Sequence, residues 1–129
     1  MVDLPADLLF TTDHEWVRVT GTVARVGVTE HATTALGDIV YVSLPTVGSH
    51  ISQGDSCAEL ESTKSVSGVY APVAGVIASV NEPVVDAPET IGADPYGEGW
   101  LFDIEMDGPL ADTLMDADAY GALLADSGS

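Results

Sequence analysis

The chain has 129 residues, room for one domain with a real core and too little for two, and no apolar run approaches the ~18 residues that a membrane span requires. Twenty-one acidic residues stand against three basic ones, a formal net charge of −18. Such a body repels phosphate backbones and anionic lipid, which sets aside nucleic-acid and membrane partners. One cysteine, Cys57, excludes an internal disulfide framework, and residues 1–5 lack the basic start of a secretory or organellar address, so a cytoplasmic setting is expected.

In chain order, residues 15–20 alternate and are rich in β-branched and aromatic types, Gly21 marks a turn, and residues 22–28 read as the hairpin partner. Thr29 is placed to cap a short helix through Ala35, with Gly37 at its end. Residues 39–44 form the clearest strand, stopped by Pro45. A short strand at 47–51 leads to the turn dipeptide Gly54-Asp55, and residues 56–62 alternate again. Strand pattern resumes at 69–71 and 76–80. The stretch 81–99, with three prolines and three glycines, is expected to be an irregular loop. Residues 100–106 read as a last strand, and Asp116 as the cap of a C-terminal helix with Tyr120, Leu123 and Leu124 on one face. The expected architecture is a small antiparallel β-sandwich or flattened barrel with short flanking helices and a C-terminal helix, formed by residues 1–129 as a single domain. Pro45-Thr46-Val47-Gly48 and Pro72-Val73-Ala74-Gly75 hint at two similar halves on either side of Lys64.

Lys64 is the only lysine. It lies between two strand patterns in a stretch of small, hydroxylated residues, 62–68, that suits a hairpin tip, so its side chain is expected in solvent on a rigid base. A modifying enzyme needs that arrangement, because it must enclose the nitrogen without unfolding a sheet.

Here the motifs become specific. Glu61-Ser62-Thr63-Lys64-Ser65-Val66-Ser67, followed by Val69-Tyr70-Ala71-Pro72 and Gly75, resembles the lipoyl-attachment segment of the glycine cleavage H-protein family. His14-Glu15-Trp16-Val17 is similar to the family's early motif. Leu36-Gly37-Asp38-Ile39-Val40-Tyr41-Val42, with Leu44-Pro45 and Gly48, is similar to its central strand. Asp94-Pro95-Tyr96-Gly97-Glu98-Gly99-Trp100-Leu101 is similar to a later run. The resemblance implies a lipoyl-domain (barrel-sandwich hybrid) fold and lipoate joined by an amide to Lys64. It also implies a non-catalytic carrier that visits three enzymes. These are glycine decarboxylase, which loads an aminomethyl group; aminomethyltransferase, which removes it; and dihydrolipoyl dehydrogenase, which restores the disulfide. Lipoate-attaching enzymes are implied as a further class of partner.

The resemblance also implies a cleft for the loaded arm. His14 and Glu15 match the motif that contributes to it, with Glu15 as carboxylate partner for the ammonium. The family commonly has Asp four residues after the lysine; this chain has Gly68, so Asp13 or Glu61 would have to substitute.

Other readings weigh less. His31 and His50 lack partners at metal-ligand spacing, Cys57 reads as a buried inert thiol, and Trp16 and Trp100 as core. Glu59 and Glu61 share a strand face and read as a solvated or docking surface. A biotinyl carrier would place methionines beside its lysine, where Thr63 and Ser65 stand. An acyltransferase lipoyl domain would show Asp before its lysine and a further domain. A lipoyl relay that hands the cofactor to other enzymes, and an unmodified interaction module, remain as alternatives.

Overall fold

The computed structural model describes residues 7–108 and 114–126; the reading of residues 1–5 lies outside them. Among the described residues nine strands and four helices follow in order: β1 (Leu9–Phe10), β2 (Glu15–Thr20), β3 (Val23–Val28), α1 (Glu30–Leu36), β4 (Ile39–Ser43), β5 (His50–Ile51), β6 (Ser56–Ser62), β7 (Val66–Tyr70), β8 (Gly75–Val80), α2 (Pro83–Asp86), α3 (Glu89–Ala93), β9 (Phe102–Met106) and α4 (Ala117–Asp126). They build two antiparallel sheets, β1-β2-β3-β9-β8-β5 and β4-β6-β7. Side-chain alternation sends Val17, Val26, Ile77 and Ile104 from the first and Val42, Ala58, Leu60 and Val69 from the second into one shared core. This is the expected β-sandwich of the lipoyl-domain type.

Local signals act where they were legible. The Thr29 hydroxyl accepts from the Ala32 N–H at the start of α1, and Gly37 ends it at φ 82°, a conformation that favours glycine. Asp116 Oδ1 accepts from the Ala119 N–H at the start of α4. The two Pro-x-x-Gly segments converge, since β5 pairs with β8 (His50↔Val76) and the Gly48 N–H donates to the Ile77 carbonyl at 2.8 Å.

Three expectations need correction. The stretch 81–99 is not irregular throughout: it holds α2 and α3, and Asn81 Nδ2 ties its ends by donating to the carbonyls of Glu98 and Trp100, both at 2.7 Å. Strand β7 starts at Val66 rather than Val69, because pairing to β6 (Glu61↔Val66, Leu60↔Ser67) carries the small residues into the ladder. Finally, Trp100 is half-buried rather than core and carries the Arg25 guanidinium 3.8 Å from its ring centroid; Trp16 is core as expected, fully buried with Leu8, Phe10, Tyr120 and Leu124 in a second cluster on the opposite side of β2 from Val17.

Candidate functional site

Lys64 stands at the β6–β7 tip, exposed, on a turn of residues 63–65. Ser62 makes that turn rigid. Its hydroxyl accepts from the N–H groups of Lys64 (3.1 Å) and Ser65 (3.0 Å), and its own N–H donates to the Ser65 carbonyl at 2.8 Å. The Thr63 N–H donates to the Asp38 carbonyl at 3.2 Å, pinning the tip to the α1–β4 connection. The lysine stem crosses Gly37: a Cβ there would lie 3.3 Å from Lys64 Cε and 3.7 Å from Nζ. Sequence reading gave Gly37 only a helix-ending role; its second role depends on a contact across 27 positions. No ion pair between described residues includes Lys64.

Glu15 is 1% exposed on the inner face of β2. Its Oε2 accepts from the Tyr70 N–H at the end of β7 (2.7 Å), and its Oε1 accepts from the Thr11 hydroxyl (3.0 Å). Burial pushes its pKa up to about 7 against the opposing effect of both hydrogen bonds, with Asp13 adding to the rise. Glu15 lines a cleft of about 320 Å³ together with Thr11, Asp13, Gly54, Tyr70 and Pro72. From Val66 to Tyr70 the strand covers about 13 Å at ~3.3 Å per residue, so the cleft lies one strand-length from the tip.

The other expected site residues go elsewhere. His14 does not line the cleft. It adopts φ 67°, its Nδ1 shares a 2.7 Å hydrogen bond with the Tyr120 hydroxyl, and its ring lies 4.5 Å from that of His31. Burial holds its pKa below the usual histidine value, His31 pushes the same way and Asp13 opposes. The two neighbours part where β2 begins: His14 stands before the strand at φ 67°, while Glu15 opens the strand on the same face as Val17. Glu61 is also absent from the cleft lining, lying on the outer face of β6 between Tyr41 and Val66. Asp13, not Glu61, stands beside Glu15. At Gly68 the Tyr70 ring folds back over the strand, where a Cβ would meet its hydroxyl at 3.2 Å. Thr11 and the backbone of Tyr70 had no sequence signal, because both act on Glu15 through tertiary contact.

His50 pairs with Asp107 at 2.6 Å, and burial pushes the Cys57 thiol up to about 12, so it stays protonated and inert. Among the described residues no cluster of three or more metal-ligating side chains occurs, and no helix is long and apolar enough to cross a membrane.

The site thus combines an exposed lysine on a stiff hairpin with a carboxylate-lined cleft one strand-length away. Residues 8–127 match the family model described as glycine cleavage H-protein. The chain belongs to the glycine cleavage H-protein family. It is 51% identical over 122 residues to the glycine cleavage system H protein of Beutenbergia cavernae, covering 95% of this chain and 97% of that one. Its identity to the H protein of Myxococcus xanthus is 50% over 126 residues, covering 97% and 98%. The crystal structure of an H protein of the same system from Mycobacterium marinum superposes with a TM-score of 0.88 at 43% identity, covering 95% of this chain and 99% of that one. H-protein membership and the two-sheet fold therefore agree.

Proposed function

We propose that this chain is the lipoyl carrier of glycine cleavage, a single non-catalytic domain with lipoate in amide linkage to Lys64. The observation that carries the reading is the position of its one lysine, exposed at the tip of a hairpin braced by Ser62 and Asp38. The residues fit the group: the nitrogen is reachable, and the turn stays rigid when the side chain is acylated, because only backbone and Ser62 atoms hold it. Bound there, lipoate would supply a disulfide–dithiol pair at the end of a flexible arm, able to accept cargo and electrons.

The chain's own residues supply shelter. Glu15 and Asp13 place two carboxyl groups in the cleft beside the far end of β7, and a cationic cargo entering it meets a carboxylate already oriented by Thr11 and Tyr70. Cation docking favours the ionised form of Glu15, so it releases a proton in proportion to the protonated fraction at that pH. Glycine decarboxylase, aminomethyltransferase and dihydrolipoyl dehydrogenase are the partners that this role requires, and a lipoate-attaching enzyme is the fourth.

The test is intact mass after incubation with a lipoate-attaching enzyme, beside Lys64→Arg. Gain of one lipoyl group by the native chain and none by the variant is expected, followed by glycine–carbon dioxide exchange with the decarboxylase. Modification without exchange would favour the relay reading. No modification, with an enzyme active on another carrier, would overturn both.

A further inference from the structure

The lysine stem leads to a second cleft. A hollow of about 410 Å³ lies between α1, α3 and the start of β4, and Thr34, Gly37, Ile39, Glu89, Gly92 and Ala93 contribute to its lining. Among the described residues it shares no lining side chain with the cleft that holds Glu15. Its volume falls within the range of small-molecule sites, roughly 300–1,000 Å³. Gly37 belongs both to this hollow and to the Lys64 contact, so Nζ, the atom that would carry an acyl chain, already stands at its edge. The hydrogen bond from Thr63 to the Asp38 carbonyl fixes the hairpin tip to the same wall.

Gly92 shows that the hollow is kept open. It lies inside α3, its φ is not positive, and a Cβ there would meet nothing within 4 Å. Glycine weakens a helix relative to alanine, and here neither backbone conformation nor packing requires it. What the missing side chain does is leave space between α3 and α1. Gly37, Gly92 and Ala93 are small, and Ile39 is buried beside them, so the wall suits an apolar group rather than a polar one.

Charge decides which form of the arm belongs there. An uncharged ring closing over the Glu15 cleft would shut in a buried carboxyl group and offer it no hydrogen bond. Asp38 and Glu89 are exposed, and they keep their water beside such a ring. Exposed carboxylates are also screened, so a cationic cargo gains less from them than from Glu15. We propose that the hollow between α1 and α3 seats the oxidised lipoyl ring when the arm carries no cargo, which leaves the Glu15 cleft to the loaded arm. The proposal rests on the reading of Lys64 as the attachment site. A carrier built this way holds its arm in one of two places, and the charge of the cargo selects between them.

The test is isotope-filtered NMR on labelled protein carrying unlabelled lipoate, oxidised and free of cargo. Expected are Overhauser contacts from the ring methylene protons to the methyl groups of Thr34 and Ala93, with none to that of Thr11. Gly92→Leu fills the hollow with a better helix former. It is expected to melt no lower than native, to gain one lipoyl group by mass, and to lose those contacts. Ala93→Leu crowds the same wall and is expected to lose the contact to Thr34. Contacts to Thr11 as strong as these, or no ring contact to the protein at all, would overturn the proposal. So would contacts that persist undiminished in both variants. Failure of the native chain to gain a lipoyl group would instead overturn the reading of Lys64.

Discussion

Taking a carboxyl group out of water without a cation beside it favours the protonated form, and the two neutral donors on Glu15 only partly oppose that. Its folded pKa of about 7 exceeds the ordinary value of 4.5, so between those values the folded state holds more protons than the unfolded one. Stability from this group is therefore complete below about 4.5 and is lost as pH rises through about 7. The expected outcome is that Glu15→Gln removes a downward slope in unfolding free energy between pH 5 and 8, read from urea midpoints across that range. On the proposed role of Glu15 the same ionisation would favour cargo binding, so retention of a loaded cationic group is expected to improve from pH 6 to 8 in the native chain and stay flat in Glu15→Gln, measured as cargo release into water. Gly27 obeys a different constraint. A Cβ there would lie 2.5 Å from the buried Trp16 indole, so Gly27→Ala is expected to cost about 1–3 kcal/mol, visible as a lower melting temperature and a changed tryptophan emission.

Among the elements, α4 depends most on tertiary contact. It has Gly121 in its interior, and a helix of 10 residues is marginal by itself. Tyr120 anchors it. The ring stacks on Phe10 at 4.7 Å, and its hydroxyl, held neutral by burial, shares hydrogen bonds with His14 Nδ1 (2.7 Å) and Thr29 Oγ1 (2.8 Å). Tyr120→Phe keeps the stack and strands both partners, at an expected cost of about 1–3 kcal/mol. Hydrogen exchange should show faster opening of α4 while β6 and β7 keep native protection. Element-level patterns were legible in β2, β3, β4, β6 and α1 because period and caps are local. The signal failed for α2 and α3, which have four and five residues, too few to show a helical period, and which are held by tertiary contact, Val84 and Ile91 in the main core and Asn81 across the ends of the stretch.

Across the whole molecule, a net charge of −18 opposes compaction and steers association. Raising ionic strength from about 0.01 to 0.5 M shortens the screening length from about 30 Å to about 4 Å. The melting temperature is expected to rise with added salt, while kcat/KM for lipoyl attachment falls as the attraction between an acidic face and a basic partner is screened. The two responses have opposite signs, which separates screening from simple salt inactivation of the protein.

Most of the strand order in the chain, the helix caps and the tip position of Lys64 follow from sequence by itself, since each rests on residues within one turn or one strand of each other. The tertiary structure decided what those residues meet. It sent His14 to Tyr120 and Glu15 to Tyr70, although they are neighbours in the chain, because His14 sits at φ 67° before β2 while Glu15 opens the strand facing the shared core. It placed Asp13 rather than Glu61 beside Glu15, and split the aromatic residues between two cores. Composition shows that a chain holds one lysine and many carboxyl groups; only packing determines which of those carboxyl groups lose their water, and burial is what makes a carboxyl group chemically distinct.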